Sequence, residues 1–133
     1  MRKKVFLGGT CNGSHWRDSL IPLLEIDYFN PVVDRWDEQA QQCELLEREQ
    51  DDYCLYVFTP KMEGVYAVAE VVDDSNKRPE KTIMVLLAED GDTSFSDHQI
   101  KALKRVGALV ENNGAVWCES LEEAAAILNR GNE

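Results

Sequence analysis

The sequence predicts a three-layer α/β fold, one domain in which helices cover both faces of a five-stranded, mainly parallel sheet. Two observations carry this expectation. Apolar runs of strand length alternate along the chain with segments of helical period, the pattern of βαβ units whose strands are buried on both faces. In addition, 133 residues that are 44% hydrophobic and 29% charged, with only 8 Gly and 4 Pro, suffice for one packed core, are too few for two, and argue against extensive disorder. The expectation is a single αβα domain over residues 1–133, of the flavodoxin or Rossmann-like type.

The elements follow in order. Basic Met1-Arg-Lys-Lys4 leads into Val5-Phe-Leu7, which is too short for a signal-peptide core and reads as the first strand, Lys4–Gly8. Ser14 can cap a helix running to about Leu24, with Pro22 shortening or kinking its end. A second strand is expected at Ile26–Phe29. Asp34 can then cap a helix carrying Trp36, Ala40, Cys43 and Leu46-Glu47, with the acidic run Glu44–Asp52 as its solvated face. The third strand, Cys54–Phe58, ends at Thr59-Pro60. The helix after it, roughly Glu63 to Asp74, spaces Val65, Val68, Ala69 and Val72 as a core stripe and puts Glu63, Tyr66, Glu70 and Asp74 on the opposite face. A fourth strand is expected at Thr82–Ala88 and a fifth at Ala115–Cys118. Ser96 with Gln99, and Ser120 with Glu123, have capping-box spacing and open helices at Asp97–Val106 and Leu121–Asn129. Asn112-Asn113-Gly114 is a turn signal. The order of strands in the sheet is not readable.

Composition narrows the partners. A formal net charge of −11 opposes binding to a phosphate backbone over a broad surface, so nucleic acid is not expected, while a small ligand in one pocket depends only on local groups. No apolar run approaches the roughly 20 residues of a membrane helix. Cys11, Cys43, Cys54 and Cys118 form no Cys-x-x-Cys pair, and Cys54 lies within an apolar strand, so neither a zinc site nor a disulfide framework is expected. Reduced thiols in a cytoplasmic protein are the consistent reading. No metal or other cofactor is called for.

In a parallel sheet the carboxyl ends of the strands share one edge. Gly8-Gly9-Thr10, Asn30-Pro31 and Thr59-Pro60 would line a common crevice there, with glycines admitting a ligand closely and Thr10 and Asn30 offering hydrogen bonds. Strand-end turns use the same residue types without any ligand. Glu70 follows on the third helix. From periodicity alone it reads as a solvated carboxylate; turned into the crevice it would be a nucleophile.

Taken together, Phe6-Leu-Gly-Gly-Thr10, Trp16-Arg17, Tyr28-Phe-Asn-Pro31, Asp51-Asp52 and the spacing from Gly64 to Glu70 resemble the nucleoside 2-deoxyribosyltransferase family, and within it the nucleoside 2-deoxyribosyltransferase-like branch, over about Val5 to Leu87. The resemblance implies that Glu70 attacks the anomeric carbon of a nucleoside or nucleoside monophosphate and holds the sugar covalently until a second base or water takes it, as retaining glycosidases do. It also implies a homo-oligomer in which a neighbouring subunit completes the site. Two positions depart from the pattern. Phe6 stands where the family has a first-strand tyrosine, and Gly64 where base-exchanging members have an aspartate, leaving Glu63 and Tyr66 to supply the acid and the hydroxyl.

Trp16 is a candidate for stacking on a base or sugar, or a core residue. Arg17 is a candidate for a 5′-phosphate, or a partner in a local ion pair. Asp52, with Asp51, matches the family's acidic position and could bind the leaving base, or simply form a turn. Cys11 and His15 lack a third orienting residue for thiolate chemistry, and His98 reads as a solvated first-turn residue. The rival to an enzyme is a nucleotide- or sugar-nucleotide-sensing module that uses the same crevice without turnover.

Overall fold

The computed structural model describes residues 2–11, 13–33 and 36–130. In chain order its elements are β1 (Lys4–Gly9), α1 (Trp16–Leu20), β2 (Asp27–Phe29), α2 (Glu38–Gln50), β3 (Tyr53–Phe58), α3 (Tyr66–Lys77), β4 (Thr82–Leu86), β5 (Glu89–Asp90), β6 (Thr93–Ser94), α4 (Asp97–Asn112), β7 (Val116–Cys118) and α5 (Leu121–Arg130), with 3-10 turns at Ile21–Leu23 and Pro79–Lys81. Five strands form one parallel sheet in the order β2-β1-β3-β4-β7. The chain leaves β1 for β2 on one side and then crosses to β3 on the other. The topological switch point of this α/β sheet is therefore between β1 and β3.

Period-two alternation divides the strand side chains between two cores. Val5, Leu7, Leu55, Val57, Ile83 and Val85 pack with Trp16 and Leu20 of α1 and Ala124 and Leu128 of α5. Phe6, Tyr56, Phe58, Met84 and Leu86 face the other way, onto Val71 of α3 and Leu103 and Val110 of α4. Helix α2 is tied to this second face by its one buried residue, Arg48, which reaches Tyr56 and Asp74. Both capping serines act as predicted: Ser96 and Gln99 form a complete capping box, and the Ser120 hydroxyl accepts from the Glu123 amide.

Several boundaries differ from expectation for identifiable reasons. Helix α1 is one short turn, with Pro22 inside the following 3-10 turn, and the Ser14 hydroxyl donates to Asp90 instead of capping strongly. Asp37 caps α2 through the Ala40 amide; the expected cap, Asp34, lies outside the described residues. Helix α3 starts at Tyr66, three residues later than expected, and α4 runs on to Asn112. Strand β4 ends at Leu86, and Glu89–Ser94 makes a small antiparallel hairpin whose signal, Asp90-Gly91 with Gly91 at φ +65°, was present in the sequence. Asp90 accepts from Ser14 and lies 4.0 Å from Lys61, so the hairpin braces the loops after β1 and β3 into one rim.

The inward face of α3 is the main correction. Glu70, Val71, Asp74 and Ser75 are buried, while Val65 and Ala69 are exposed and Val68 and Val72 are half-buried toward α4. The predicted apolar stripe is displaced because partners on other elements satisfy the polar face. Asp74, wholly buried, accepts from Arg48, Arg78 and the Tyr56 hydroxyl. A fully satisfied carboxylate can be buried where an unpaired one cannot.

Candidate functional site

A cavity of about 530 Å³ opens at the carboxyl end of β1 and β3, at the switch point. Gly8, Gly9, Thr10 and Cys11 form one wall; Phe58, Met62, Glu63, Gly64, Tyr66, Ala67 and Glu70 form another; Pro31, Val32, Val33, Trp36 and Glu44 close a third side, and Arg17 reaches it from α1.

The glycines are there for backbone reasons. Gly9 has φ +110°, and a Cβ on it would lie 2.1 Å from the Val57 carbonyl oxygen; a Cβ on Gly8 would meet the Tyr56 ring at 2.8 Å. Thr10 fastens the two loops together: its amide donates to the Val57 carbonyl at 2.8 Å, and its hydroxyl accepts from the Thr59 amide at 3.0 Å. A floor results that is bare backbone at Gly8 and Gly9 and is tied to the loop after β3 by Thr10.

Glu70 is 7% exposed and turns into this cavity, not into solvent. Its Oε2 lies 3.4 Å from Arg48 Nη1. Burial, then the hydrogen bond and charge of the Glu44 carboxyl, push Glu70 up to about 8 against the pull of Arg48. Arg48 cannot neutralise it fully because its charge is shared. Its Nε donates to the Tyr56 hydroxyl at 3.0 Å, and its Nη2 donates to Asp74 at 2.9 Å and to Asp73 at 3.4 Å. Burial favours the neutral acid in Asp74 as well, but hydrogen bonds from Arg48 and Tyr56 outweigh it and hold Asp74 below its ordinary value. The two buried acids of α3, one turn apart, are thus driven in opposite directions. Asp74 is a fixed counterion, and Glu70 is poised to gain or lose a proton near neutrality.

The structure brings Gly8, Gly9, Thr10, Arg17, Glu63, Tyr66 and Glu70 to one cavity. Glu63 and Tyr66 stand exposed at its mouth. Three predicted site residues are elsewhere. Trp16 is 2% exposed within the core, its indole nitrogen donating to the Thr10 carbonyl at 2.7 Å. Asn30 is exposed and does not line the cavity; its side chain accepts from the Val32 amide, an Asx turn that carries the chain into the Pro31–Val33 wall. Asp52 sits at the opposite, amino end of the strands, accepting from the Lys4 amide at 2.9 Å. His15 pairs with Asp18 in solvent, apart from any thiolate chemistry.

Sequence reasoning missed Glu44 and Arg48. Both fall in the acidic run taken as a solvated helix face, and they stand one turn apart on the side of α2 that meets α3. The isolated arginine in an otherwise acidic stretch was the available signal. The sequence shows Tyr56 only as a strand residue, yet its hydroxyl lies under the cavity, on the strand beside β1, and donates to Asp74.

Among the described residues, no helix is long and apolar enough to cross a membrane. No curated protein and no solved structure matches the chain. Residues 2–89, which include every wall of the cavity, match the model of the nucleoside 2-deoxyribosyltransferase-like family, and the chain belongs to that family, whose chemistry at the coarse level is transfer at an N-glycosyl bond.

Proposed function

We propose that this protein cleaves or transfers at the N-glycosidic bond of a nucleoside or nucleoside monophosphate, with Glu70 as nucleophile. The observation that carries the reading is a buried carboxyl at the sheet's switch point, facing a cavity and set against a second carboxyl, Glu44. In the proposed step a Glu70 oxygen bonds to C1′ as the bond from C1′ to the base nitrogen breaks; the electron pair leaves with the base, which takes a proton from an acidic group in the cavity. We assign that proton to Glu44, which hydrogen-bonds the Glu70 carboxyl, takes up the proton Glu70 gives up in order to attack and passes it to the base; Glu63 and the Tyr66 hydroxyl stand at the mouth. Water or a second base then attacks C1′ and frees Glu70. The Gly8-Gly9-Thr10 floor would seat the substrate against the backbone.

We further read the active form as a homo-oligomer, supported by exposed Val32, Val33, Trp36 and Tyr66 around the mouth, where a second copy would exclude water.

A sensing module is the second reading. A Glu70 held largely neutral at pH 7 and Phe6 in place of a first-strand hydroxyl favour binding over turnover. Incubation with a panel of nucleosides and their 5′-monophosphates, followed by chromatography for free base and calorimetry for binding, separates the two. Free base supports the enzyme; tight binding with no base supports the sensor and contradicts the enzyme.

A further inference from the structure

Among the described residues that line the cavity, Arg17 is the cation that the proposed glycosidic step leaves unused. It differs from Arg48 in what surrounds it. Arg48 lies within 3.4 Å of three carboxylates, those of Glu70, Asp73 and Asp74. Arg17 is 7% exposed, yet among the described residues no carboxylate lies within 4.0 Å of it. Its guanidinium lies 4.3 Å from the Trp16 ring, and its Nε and Nη2 donate to the Leu7 carbonyl at 3.2 and 2.9 Å while Nη1 donates to the Thr10 carbonyl at 2.7 Å. Among the described residues, three of the five N–H donors are thereby engaged and two have no acceptor. Burial lowers Arg17 to about 10, so it keeps its charge at neutral pH.

A buried guanidinium without an acid is expensive unless something neutralises it. Here the carbonyls fix the orientation of the group, and its charge, which no described carboxylate contacts, borders the cavity. The other described charged groups there are Glu44, whose charge acts on Arg17, exposed Glu63, and Glu70, which is largely neutral near pH 7. A planar fork with free donors, held rigidly in a partly desolvated site, suits a phosphate oxygen pair better than a single point charge would.

We propose that Arg17 is the binding point for a phosphate group in this cavity. This rests on the glycosidic reading for its choice of ligand: the phosphate is either the 5′-phosphate of a nucleotide substrate or free phosphate accepting the sugar. In the second case the C1′ bond to Glu70 is replaced by a bond from C1′ to a phosphate oxygen, giving a sugar 1-phosphate and restoring the carboxylate.

The test is calorimetry and base release with a nucleoside, its 5′-monophosphate and inorganic phosphate, on the wild-type chain and on Arg17→Gln and Arg17→Lys, with melting temperatures recorded. If the substrate carries the phosphate, the monophosphate binds the wild type about ten- to a hundred-fold more tightly than the nucleoside. Arg17→Gln brings that ratio close to one and Arg17→Lys leaves part of it. If phosphate is the acceptor, millimolar phosphate accelerates base release from the nucleoside, and Arg17→Gln removes the acceleration. A wild type that binds nucleoside and monophosphate equally, and ignores phosphate, overturns the proposal even if it releases base from both. A phosphate preference without base release from any substrate keeps the anion site and refutes the glycosidic reading. Even if both variants fail to fold, the wild-type comparison can still overturn the proposal.

Discussion

The two ends of the parallel sheet each hold a pair of carboxyls, one from α2 in both cases, and each pair pushes one member's proton affinity upward. At the carboxyl end the pair is Glu44 and Glu70, with Glu70 at about 8. At the amino end it is Glu47 and Asp51, where burial first and the Glu47 carboxyl second bring Asp51 to about 7. The surroundings differ. Lys4 lies 2.8 Å from Glu47 and 4.0 Å from Asp51, and Lys81 donates to the Asp51 carbonyl at 2.6 Å, so lysines and backbone close that end. The Glu70 end opens on a cavity. A perturbed carboxyl therefore does not by itself mark a site. What singles out the candidate site is the cavity, together with a counterion, Arg48, already committed to other acids.

The contrast is broken or sharpened by five measurements. The largest effect is expected at the open end, where Glu70→Gln should lower base release on the order of 10³-fold or more, because the amide cannot form the glycosyl ester. Asp51→Asn at the closed end should leave release within about threefold. Equal losses in both would erase the distinction.

Next in size is Arg48→Leu, which leaves Asp74 buried at 0% exposure with Arg78 as its remaining ionic partner; destabilisation of about 3–5 kcal/mol is expected in urea unfolding. Gly9→Ala should follow at roughly 1–3 kcal/mol, since the positive φ and the Val57 carbonyl both oppose a side chain.

Glu70 and Asp51 then set a pH dependence of stability. Both hold protons more tightly folded than in their ordinary state, at about 8 against 4.5 and about 7 against 3.8. The stability they contribute is full below the ordinary values and is lost progressively as pH rises from there through the folded values of about 7 and 8. Urea midpoints should fall across this window, and Glu70→Gln should recover roughly 1–3 kcal/mol at pH 9. A midpoint that rises between pH 5 and 8 would contradict the shifts. The smallest effect belongs to Asn30→Ala, exposed and outside the cavity, at no more than about 0.5 kcal/mol and no change in base release beyond twofold or so.

The sequence made legible what depends on local pattern. Strand alternation, the capping-box spacings at Ser96 and Ser120, the Gly8-Gly9-Thr10 strand end and the spacing from Gly64 to Glu70 placed the sheet edge and the carboxyl on the helix beside it. What escaped depends on partners far apart in the chain. The polar face of α3 turns inward because Arg48, 26 residues before Asp74, and Tyr56, 18 before it, satisfy that acid, which periodicity cannot register. Trp16 is buried because its indole meets a carbonyl in the preceding loop. Asp52 follows a helix that ends at the amino edge of the sheet, so adjacency to the third strand put it at the wrong end.

Base release followed across pH 5 to 9.5, in the wild type and in Glu70→Gln side by side, tests the central claim most directly. The predicted result is free base from at least one nucleoside or monophosphate, at a rate that climbs toward about pH 8 as Glu70 ionises, with the variant folded but inactive at every pH. Release that survives Glu70→Gln, or no release from any substrate offered, would contradict it.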